Sequence, residues 1–254
     1  MKKLFRYLCT AVLIGSPYAA SAVSDTQASA APDTKTLLQQ SDRARGGNLP
    51  GITWEITVTS HNGKKAGEDQ RLRVKATTEA SVAETLEPKR SKGAKLLHVG
   101  RNMWLTKKGL SKPVPISPRQ RMHGQAANGD IAATNYAGDY DAAFAGEETL
   151  NNEPCYVLDL NAKHKSATYD RIRYWIAANR GVGVKAEFYS VSGKLLKTAM
   201  FEYNNAINYE EQNIPFVSKM VIRDALTPAE TTLEFGQISI QKISTFEFDL
   251  GQGR

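Results

Sequence analysis

The fold is decided by one stretch, residues 151–204, which reads NNEPCYVLDL NAKHKSATYD RIRYWIAANR GVGVKAEFYS VSGKLLKTAM FEYN. Within it, Ile172, Tyr174 and Ile176 fall on one face of a period-2 pattern, and Arg171, Arg173 and Trp175 fall on the other. This alternation is typical of a strand with one buried and one wet face. Turns containing Gly or Asn separate successive strands. The pattern predicts an antiparallel meander of four strands at 155–160, 171–176, 184–189 and 195–203.

Strands also dominate on both sides of this meander. Residues 52–59 alternate strictly between apolar and polar side chains, which is the clearest strand pattern in the chain. Further strands are predicted at 71–76, 81–87, 95–99, 102–106, 216–223, 231–243 and 244–250, so that we expect a mainly β protein of about eleven strands.

Two or three short helices are expected beside these strands. Asp33 is a candidate N-cap for an amphipathic helix over 34–45, which Gly46-Gly47 would end. A second short helix is predicted at 139–146. Between them, Pro113, Pro115 and Pro118 lead us to expect no regular strand or helix pairing in 107–139. An irregular segment of this length inside a compact domain is usually functional or mobile.

The N-terminus has the pattern of a secretory signal peptide over residues 1–22. A basic start is followed by a short apolar run and by Ala20-Ser21-Ala22 as the cleavage site. Residues 23–32 are small and polar and predict a disordered leader. We therefore expect 33–254 to form one exported domain, soluble after cleavage, in the periplasm. Cys9 would leave with the signal, and Cys155 is expected to be a buried strand residue without a disulfide partner.

Charge is distributed unevenly along a chain whose formal net charge is +7. Between Pro88 and Gly129 there is no Asp or Glu, whereas there are ten Lys and Arg residues. A long block of one sign creates a field that favours an anionic partner. The alternative is that these are solvated loop side chains without a partner.

Motifs of catalysis and metal binding are missing from the sequence. The four histidines have no neighbours at metal-ligand spacing, and no HExxH, CxxC, Walker loop or nucleophile elbow occurs. A hydrolase assembled from distant residues such as His123 and Asp130 has no support from spacing. The basic block lacks the interleaved aromatic residues of a nucleic-acid platform. We therefore predict no enzyme activity, cofactor, metal site or nucleic-acid partner.

Several motifs resemble the exported outer membrane lipoprotein-sorting protein family, relatives of the LolA and LolB lipoprotein carriers. The resemblance covers roughly residues 34–250. It is carried by NMWLT (102–106), PRQRM (118–122), NGD (128–130), DY (139–140), CYVLDL (155–160), YWI (174–176), AEFY (186–189) and GKLLKT (193–198). The chain departs from the carriers in its Pro-rich basic segment, and it has no lipobox cysteine, as in LolA.

The resemblance implies a fold and a role. The fold would be a strongly curved antiparallel sheet, an incomplete barrel with short helices covering its concave side. The role would be that of a periplasmic carrier that binds a lipidated or lipid-like ligand and passes it between envelope membranes, in some relatives beside an inner-membrane export pump. An apolar cavity under such helices binds acyl chains by burial alone. Its expected lining is Trp54, Ile56, Val58, Leu72, Val74, Leu97, Val99, Tyr174, Ile176, Phe188, Phe201 and Met220.

The basic block has its own predicted role at the mouth of this cavity. We expect it to meet phospholipid headgroups or an acidic surface on a membrane partner. The alternative for the whole chain is a non-enzymatic envelope structural or interaction protein, in which the same fold has a filled core. The predicted docking residues are Lys89, Arg90, Lys92, Lys95, Lys107, Lys108, Arg119 and Arg121.

Overall fold

The computed structural model describes residues 32–249. The predicted signal peptide, and the predicted leader apart from Pro32, lie outside the described residues. Within 32–249 there are three short α-helices, α1 Thr34–Arg43, α2 Asn128–Ile131 and α3 Tyr136–Asp139. The strands are β1 Ile52–Asn62, β2 Lys65–Ala66, β3 Gln70–Ala76, β4 Ala80–Glu87, β5 Lys95–Val99, β6 Asn102–Thr106, β7 Val114–Ile116, β8 Arg121–His123, β9 Ala126–Ala127, β10 Tyr140–Leu150, β11 Glu153–Ala162, β12 Arg171–Ala177, β13 Val182–Tyr189, β14 Leu195–Glu202, β15 Asn205–Tyr209, β16 Gln212–Phe216, β17 Lys219–Asp224 and β18 Ala229–Ile240.

One antiparallel sheet of 14 strands contains most of these elements. Its order is β10-β11-β12-β13-β14-β17-β18-β1-β3-β4-β5-β6-β7, with β2 paired to β1. The last strand, β18, pairs with the first, β1, over the register from Ile52 opposite Ile240 to Asn62 opposite Ala229. The two halves of the chain are therefore joined in the middle of the sheet. Among the described residues β7 and β10 end the sheet without pairing to each other, so the barrel is incomplete.

The core shows that the sheet curves. A single cluster of buried side chains includes Leu96 from β5, near one end of the sheet, and Leu158 from β11, near the other. Distant strands can reach one cluster only if the sheet bends around it. Leu38 of α1 and Tyr136 of α3 belong to the same cluster, so short helices cover the concave side. The predicted fold class is confirmed.

The first helix follows its sequence signals closely. The Asp33 carboxylate accepts a hydrogen bond from the backbone N–H of Lys35, as an N-cap does. The helix ends before Gly46, which has a φ of +84°. A side chain there would also clash, because a Cβ on Gly46 would lie 2.6 Å from the Trp54 ring. Glycine is therefore required for both the turn and the packing.

The eleven strands that were predicted before residue 244 are all present, and residues 32–249 contain seven further strands. Four of the seven, β2, β7, β8 and β9, have only two or three residues and carry too little periodicity to be read from sequence. The β15–β16 hairpin forms a separate two-stranded sheet between β14 and β17.

Three local predictions were wrong. Residues 139–146 are not a helix, because Tyr140–Leu150 forms edge strand β10 and pairs with β11 along its length. The strand predicted at 244–250 is absent from residues 244–249, because Thr245–Phe248 forms a 3₁₀ helix, and residue 250 lies outside the described residues. Residues 107–139 do contain regular structure, because β7, β8, β9, α2 and α3 lie within them. Pro115 lies in β7 at the edge of the sheet, where a missing N–H is tolerated.

The convex face of the meander is less wet than its alternation indicates. Trp175 is 4% exposed and packs in a smaller cluster with Cys155, Val157 and Val184. Its indole N–H donates to Glu148 at 2.8 Å. Among residues 32–249, no helix has the length and apolar character needed to cross a bilayer.

Candidate functional site

Ten of the twelve predicted lining residues belong to the core cluster on the concave side of the sheet. Each of these ten side chains is 6% exposed or less. They share this cluster with Leu38 of α1. The ten are Trp54, Ile56, Val58, Leu72, Val74, Tyr174, Ile176, Phe188, Phe201 and Met220.

Leu97 and Val99, also predicted to line the cavity, are not in this cluster. In β5 the core member is Leu96, the preceding residue. Leu97 is opposite Val82 in the pairing of β4 with β5, and both strands contact the 3₁₀ helix Thr245–Phe248. Because Leu96 and Leu97 are adjacent, the alternation of apolar residues along β5 is compatible with either leucine facing the core. The pairing with β4 decides that Leu96 does.

Residues 117–139, which we name the lid segment, cover part of the concave side. Only four of its residues are buried in the core cluster, namely Ala126, Ala127, Ile131 and Tyr136. Two of these are alanines, so the segment contributes little apolar surface for its length. Polar contacts to the rest of the protein hold it at its C-terminal end and near its middle.

At its C-terminal end the lid segment is attached to α1 through Asp42. One carboxylate oxygen accepts the backbone N–H of Tyr136 at 3.0 Å, and the other accepts that of Ala137 at 2.9 Å. Burial raises the pKa of Asp42 to about 7, while the two N–H groups and the nearby Arg45 act to lower it. The guanidinium of Arg45 lies 5.2 Å from the ring centroid of Tyr136 and 4.6 Å from that of Phe201. Arg45 therefore contacts both Tyr136 of the lid segment and Phe201 of β14 through cation–π interactions.

Nearer its middle, the lid segment is attached to β14 through Lys197. Its ammonium group donates to the backbone oxygen of Gln125 at 2.6 Å and pairs with Asp130 at 3.3 Å. Asp130 also accepts from the Tyr169 hydroxyl at 2.6 Å. The side chains of Lys197 and Asp130 are 6% and 2% exposed. Burial lowers the pKa of Lys197, and the Asp130 carboxylate opposes that shift.

Beneath the lid segment lies a layer of aromatic rings. Tyr136 packs edge-to-face on Tyr140 and Tyr174, with centroids 5.3 and 5.4 Å apart. Tyr174 continues the layer to Phe201, and its hydroxyl is 2.7 Å from the hydroxyl of Ser41 on α1. The Trp54 indole N–H is buried in the same core without a hydrogen-bond partner among the described residues.

Six of the eight predicted docking residues lie close together. Lys89 and Arg90 are in the 3₁₀ helix Lys89–Ser91 after β4, and five of the six border a pocket of about 330 Å³ that we name the basic pocket. Glu68 is its one acidic residue. Its floor includes Leu96 and Leu105 of the sheet, and its lid side is formed by Met122 and His123. The five bordering cations are Arg90, Lys92, Lys95, Lys107 and Lys108.

The other two docking residues, Arg119 and Arg121, border a different pocket of about 310 Å³. Both are engaged with carboxylates, Arg119 with Asp170 at 2.7 Å and Arg121 with Asp224 at 3.8 Å. The block that is continuous in sequence is therefore divided in space, and its unpaired charge is concentrated in the basic pocket.

The described residues form five surface pockets that none of the twelve predicted lining residues borders. No cluster of three or more His, Cys, Asp or Glu with metal-binding geometry occurs within 32–249. His123 and Asp130 make separate contacts, His123 with Gln70 and Asp130 with Lys197 and Tyr169. They form no hydrogen-bonded pair.

Sequence reasoning missed the residues that tie down the lid segment. The sequence contained one signal for Lys197. It alternates in β14 with Ala199 and Phe201 on the face that is buried, where a cation is unexpected. Asp42 adjoins the apolar stripe of α1. Their partners lie 67 to 95 residues away in the chain and carry no local signal.

Comparisons with known proteins agree with this architecture. A sequence-family model whose description reads "Uncharacterized protein" matches residues 77–250. No curated protein gives a significant match. A LolA superfamily protein from Nitrosomonas europaea is 29% identical, with a TM-score of 0.75 over 85% of this chain and 96% of its own.

Two further crystal structures share the fold at lower identity. A DUF1329 family protein from Desulfovibrio piger is 18% identical, with a TM-score of 0.71 over 85% of this chain and 95% of its own. An outer membrane lipoprotein-sorting protein domain from Vibrio parahaemolyticus is 19% identical, with a TM-score of 0.72 over the same shares of the two chains. The chain therefore belongs to the family whose model matches it, and it is LolA-like, with the fold of outer membrane lipoprotein-sorting proteins.

Proposed function

We propose that this protein is a periplasmic carrier that binds a lipidated or lipid-like ligand under the lid segment and passes it between envelope membranes. The observation that carries the proposal is the way the concave face is covered. A large apolar face is closed by a short segment that buries little apolar surface and is held through polar contacts. Segments of this kind open locally at lower free energy than sheet strands.

Opening would expose a surface that suits an acyl chain. The residues under the lid segment are aromatic and aliphatic, and they include Tyr174, Phe188 and Phe201. Each methylene that leaves water contributes ~0.8 kcal/mol, so a chain of a dozen carbons contributes up to about 10 kcal/mol. This gain would offset the free energy needed to break the polar contacts that hold the lid segment. The conformation described is then the closed state.

The cellular setting of the proposal rests on sequence and charge. The signal-peptide pattern of residues 1–22 would direct the chain out of the cytoplasm. The eight predicted docking residues would meet an anionic membrane surface or an acidic partner, such as an inner-membrane export pump, while the ligand enters or leaves. The ligand would be an acylated lipoprotein or a lipid.

A second function is favoured by the packed interior. Ten of the twelve predicted lining residues are almost fully buried within one core cluster. If the lid segment does not open, the protein would be a non-enzymatic envelope interaction protein built on the same fold.

Mass spectrometry of the mature protein, isolated from a periplasm without detergent, separates the two functions. A stoichiometric lipid, fatty acid or lipopeptide is the result expected of a carrier. Titration with the fluorescent fatty acid cis-parinaric acid provides a second readout. Protein that carries no lipid and also fails to bind the probe would contradict the carrier function.

Variants connect binding to the lid segment. Lys197→Met removes the ammonium that holds Gln125 and Asp130, and it should speed probe uptake because opening becomes easier. Lys194→Met is the matched control, because Lys194 is exposed and makes no ion pair within 32–249. Equal uptake rates in the two variants would argue against entry beneath this segment.

A further inference from the structure

We propose that the basic pocket binds the phosphate-bearing headgroup of an anionic amphiphile, whose apolar tail continues under the lid segment. The inference rests on the proposed carrier function and selects its ligand class. It would favour a phosphate-bearing lipid over a neutral acylated ligand.

The first support is unpaired charge. Five cationic side chains border the basic pocket, and the single carboxylate there, that of Glu68, already pairs with Arg90. Within residues 32–249, Lys92, Lys95, Lys107 and Lys108 make no ion pair and no side-chain hydrogen bond. Four lysine ammonium groups around one concavity repel one another unless an anion lies between them. Phosphate oxygens are strong acceptors for such groups.

The second support is the position of the basic pocket at the seam between sheet and lid segment. Met122 and His123 belong to β8 in the lid segment, whereas Leu96 and Leu105 belong to β5 and β6. Leu96 is a member of the core cluster, and Leu105 packs against it. A headgroup among the lysines would therefore place its tail at the apolar interior, at the edge where the lid segment separates from the sheet.

The third support is an unpartnered polar atom at the same seam. His123 is 5% exposed and borders the basic pocket. Its Nδ1 contacts the side-chain oxygen of Gln70, while its Nε2 is buried with no partner among the described residues. Because Nδ1 donates to that oxygen, Nε2 of the neutral ring is an acceptor. A buried polar atom without a partner is costly, and a hydroxyl of a headgroup, including a protonated phosphate oxygen, would satisfy it by donating a hydrogen bond.

The volume of the basic pocket suits a headgroup but not the acyl chains attached to it. The basic pocket, at about 330 Å³, is at the lower end of the ~300–1,000 Å³ typical of small-molecule sites. It can hold a headgroup, whereas acyl chains must extend elsewhere. The neighbouring apolar interior is the direct continuation.

The test compares three soluble probes by isothermal titration calorimetry: dioctanoyl phosphatidate, neutral dioctanoylglycerol and inorganic phosphate. The wild type should bind the phosphatidate most tightly. The pocket variant replaces Lys92, Lys95, Lys107 and Lys108 with Gln. It should bind the phosphatidate about 100-fold more weakly and lose most of the salt dependence of binding.

The matched control also removes four exposed, unpaired lysines, but away from the basic pocket. Lys35, Lys64, Lys165 and Lys242 are replaced by Gln, and phosphatidate binding should remain within about threefold of wild type. As a second variant, Met122→Glu places a carboxylate in the basic pocket and should weaken phosphatidate binding. Thermal unfolding of each variant confirms that it is folded.

The outcomes are distinguishable. Equal binding of phosphatidate and dioctanoylglycerol, unchanged in the pocket variant, would overturn this inference and leave the carrier function standing. Inorganic phosphate binding as tightly as the phosphatidate would make free phosphate the ligand and would also overturn it. If the wild type binds no amphiphile at all, the carrier function fails as well.

Discussion

The contact between Lys197 and the lid segment permits a prediction with a defined magnitude. Lys197→Met keeps most of the unbranched side chain and removes the ammonium group. The variant loses the bond to the Gln125 backbone oxygen at 2.6 Å and the pair with Asp130 at 3.3 Å. It also loses the stacking of the cation over Tyr169, where the Nζ lies 4.9 Å from the ring centroid.

Breaking a buried ion pair from one side costs about 3–5 kcal/mol, because the other charge remains buried. Here Asp130 keeps two donors, the Tyr169 hydroxyl at 2.6 Å and the Ala127 N–H at 2.8 Å. We therefore expect the lower end, a loss of about 3 kcal/mol in the free energy of unfolding. Adding Asp130→Asn removes the stranded charge, so the double variant should be more stable than Lys197→Met alone.

Urea unfolding measures the global effect, and amide hydrogen exchange measures the local one. Protection of the lid-segment amides, those of Gln125 and Ala127 among them, should fall by about 100-fold in Lys197→Met. Central strands β12 and β13, which exchange through global unfolding, should stay better protected than the lid segment in both the wild type and the variant. A loss of less than about 1 kcal/mol in Lys197→Met, or a double variant less stable than Lys197→Met, would contradict this role of Lys197.

Three further predictions concern buried groups. Burial raises the pKa of Asp42 to about 7 from an ordinary 3.8, so between these pH values the folded protein holds a proton that the unfolded chain releases. The free energy of unfolding should therefore fall as pH rises from about 4 to about 7. Urea unfolding should show this fall in the wild type but not in Asp42→Asn, and the same pH dependence in both proteins would contradict the assignment. Burial lowers the pKa of His123 to about 4 from 6.5, so stability should fall as pH drops from about 6.5 to about 4, and His123→Gln should remove this acid-side loss in the same assay. Gly183→Ala should lower the free energy of unfolding by about 3 kcal/mol in thermal unfolding, because the new Cβ would lie 1.7 Å from the Tyr174 hydroxyl oxygen. Gly236→Ala is the control: no atom lies within 4 Å of its new Cβ, and its stability should change by less than about 0.5 kcal/mol.

Strand periodicity was the most informative sequence feature, and its failures have identifiable causes. Tyr140–Leu150 is rich in Ala, which favours helix, yet pairing with β11 makes it a strand. Tertiary context overrode local preference there. At β5, adjacent Leu96 and Leu97 left the inward face undecided until β4 set the register.

For the basic block, residues 89–121, the sequence likewise predicted one part of the result, and the tertiary structure supplied the other. Its net charge and its lack of acidic residues were visible in the sequence, and so was the expectation of an anionic partner. The sequence did not reveal that Arg119 and Arg121 are paired with Asp170 and Asp224. Nor did it reveal that the unpaired lysines surround one pocket at the edge of the lid segment.

The sequence by itself determined the mainly β composition, the positions of eleven strands, the capped first helix and the one-signed charge block. These follow from side-chain alternation, capping and turn residues, all of which act over a few neighbours in the chain. Only the tertiary structure decided the strand order that joins β18 to β1, the filling of the concave face and the polar contacts that close it. Such features depend on pairs like Asp42 with Tyr136 and Lys197 with Asp130, 94 and 67 residues apart, which no local pattern encodes because they arise from packing.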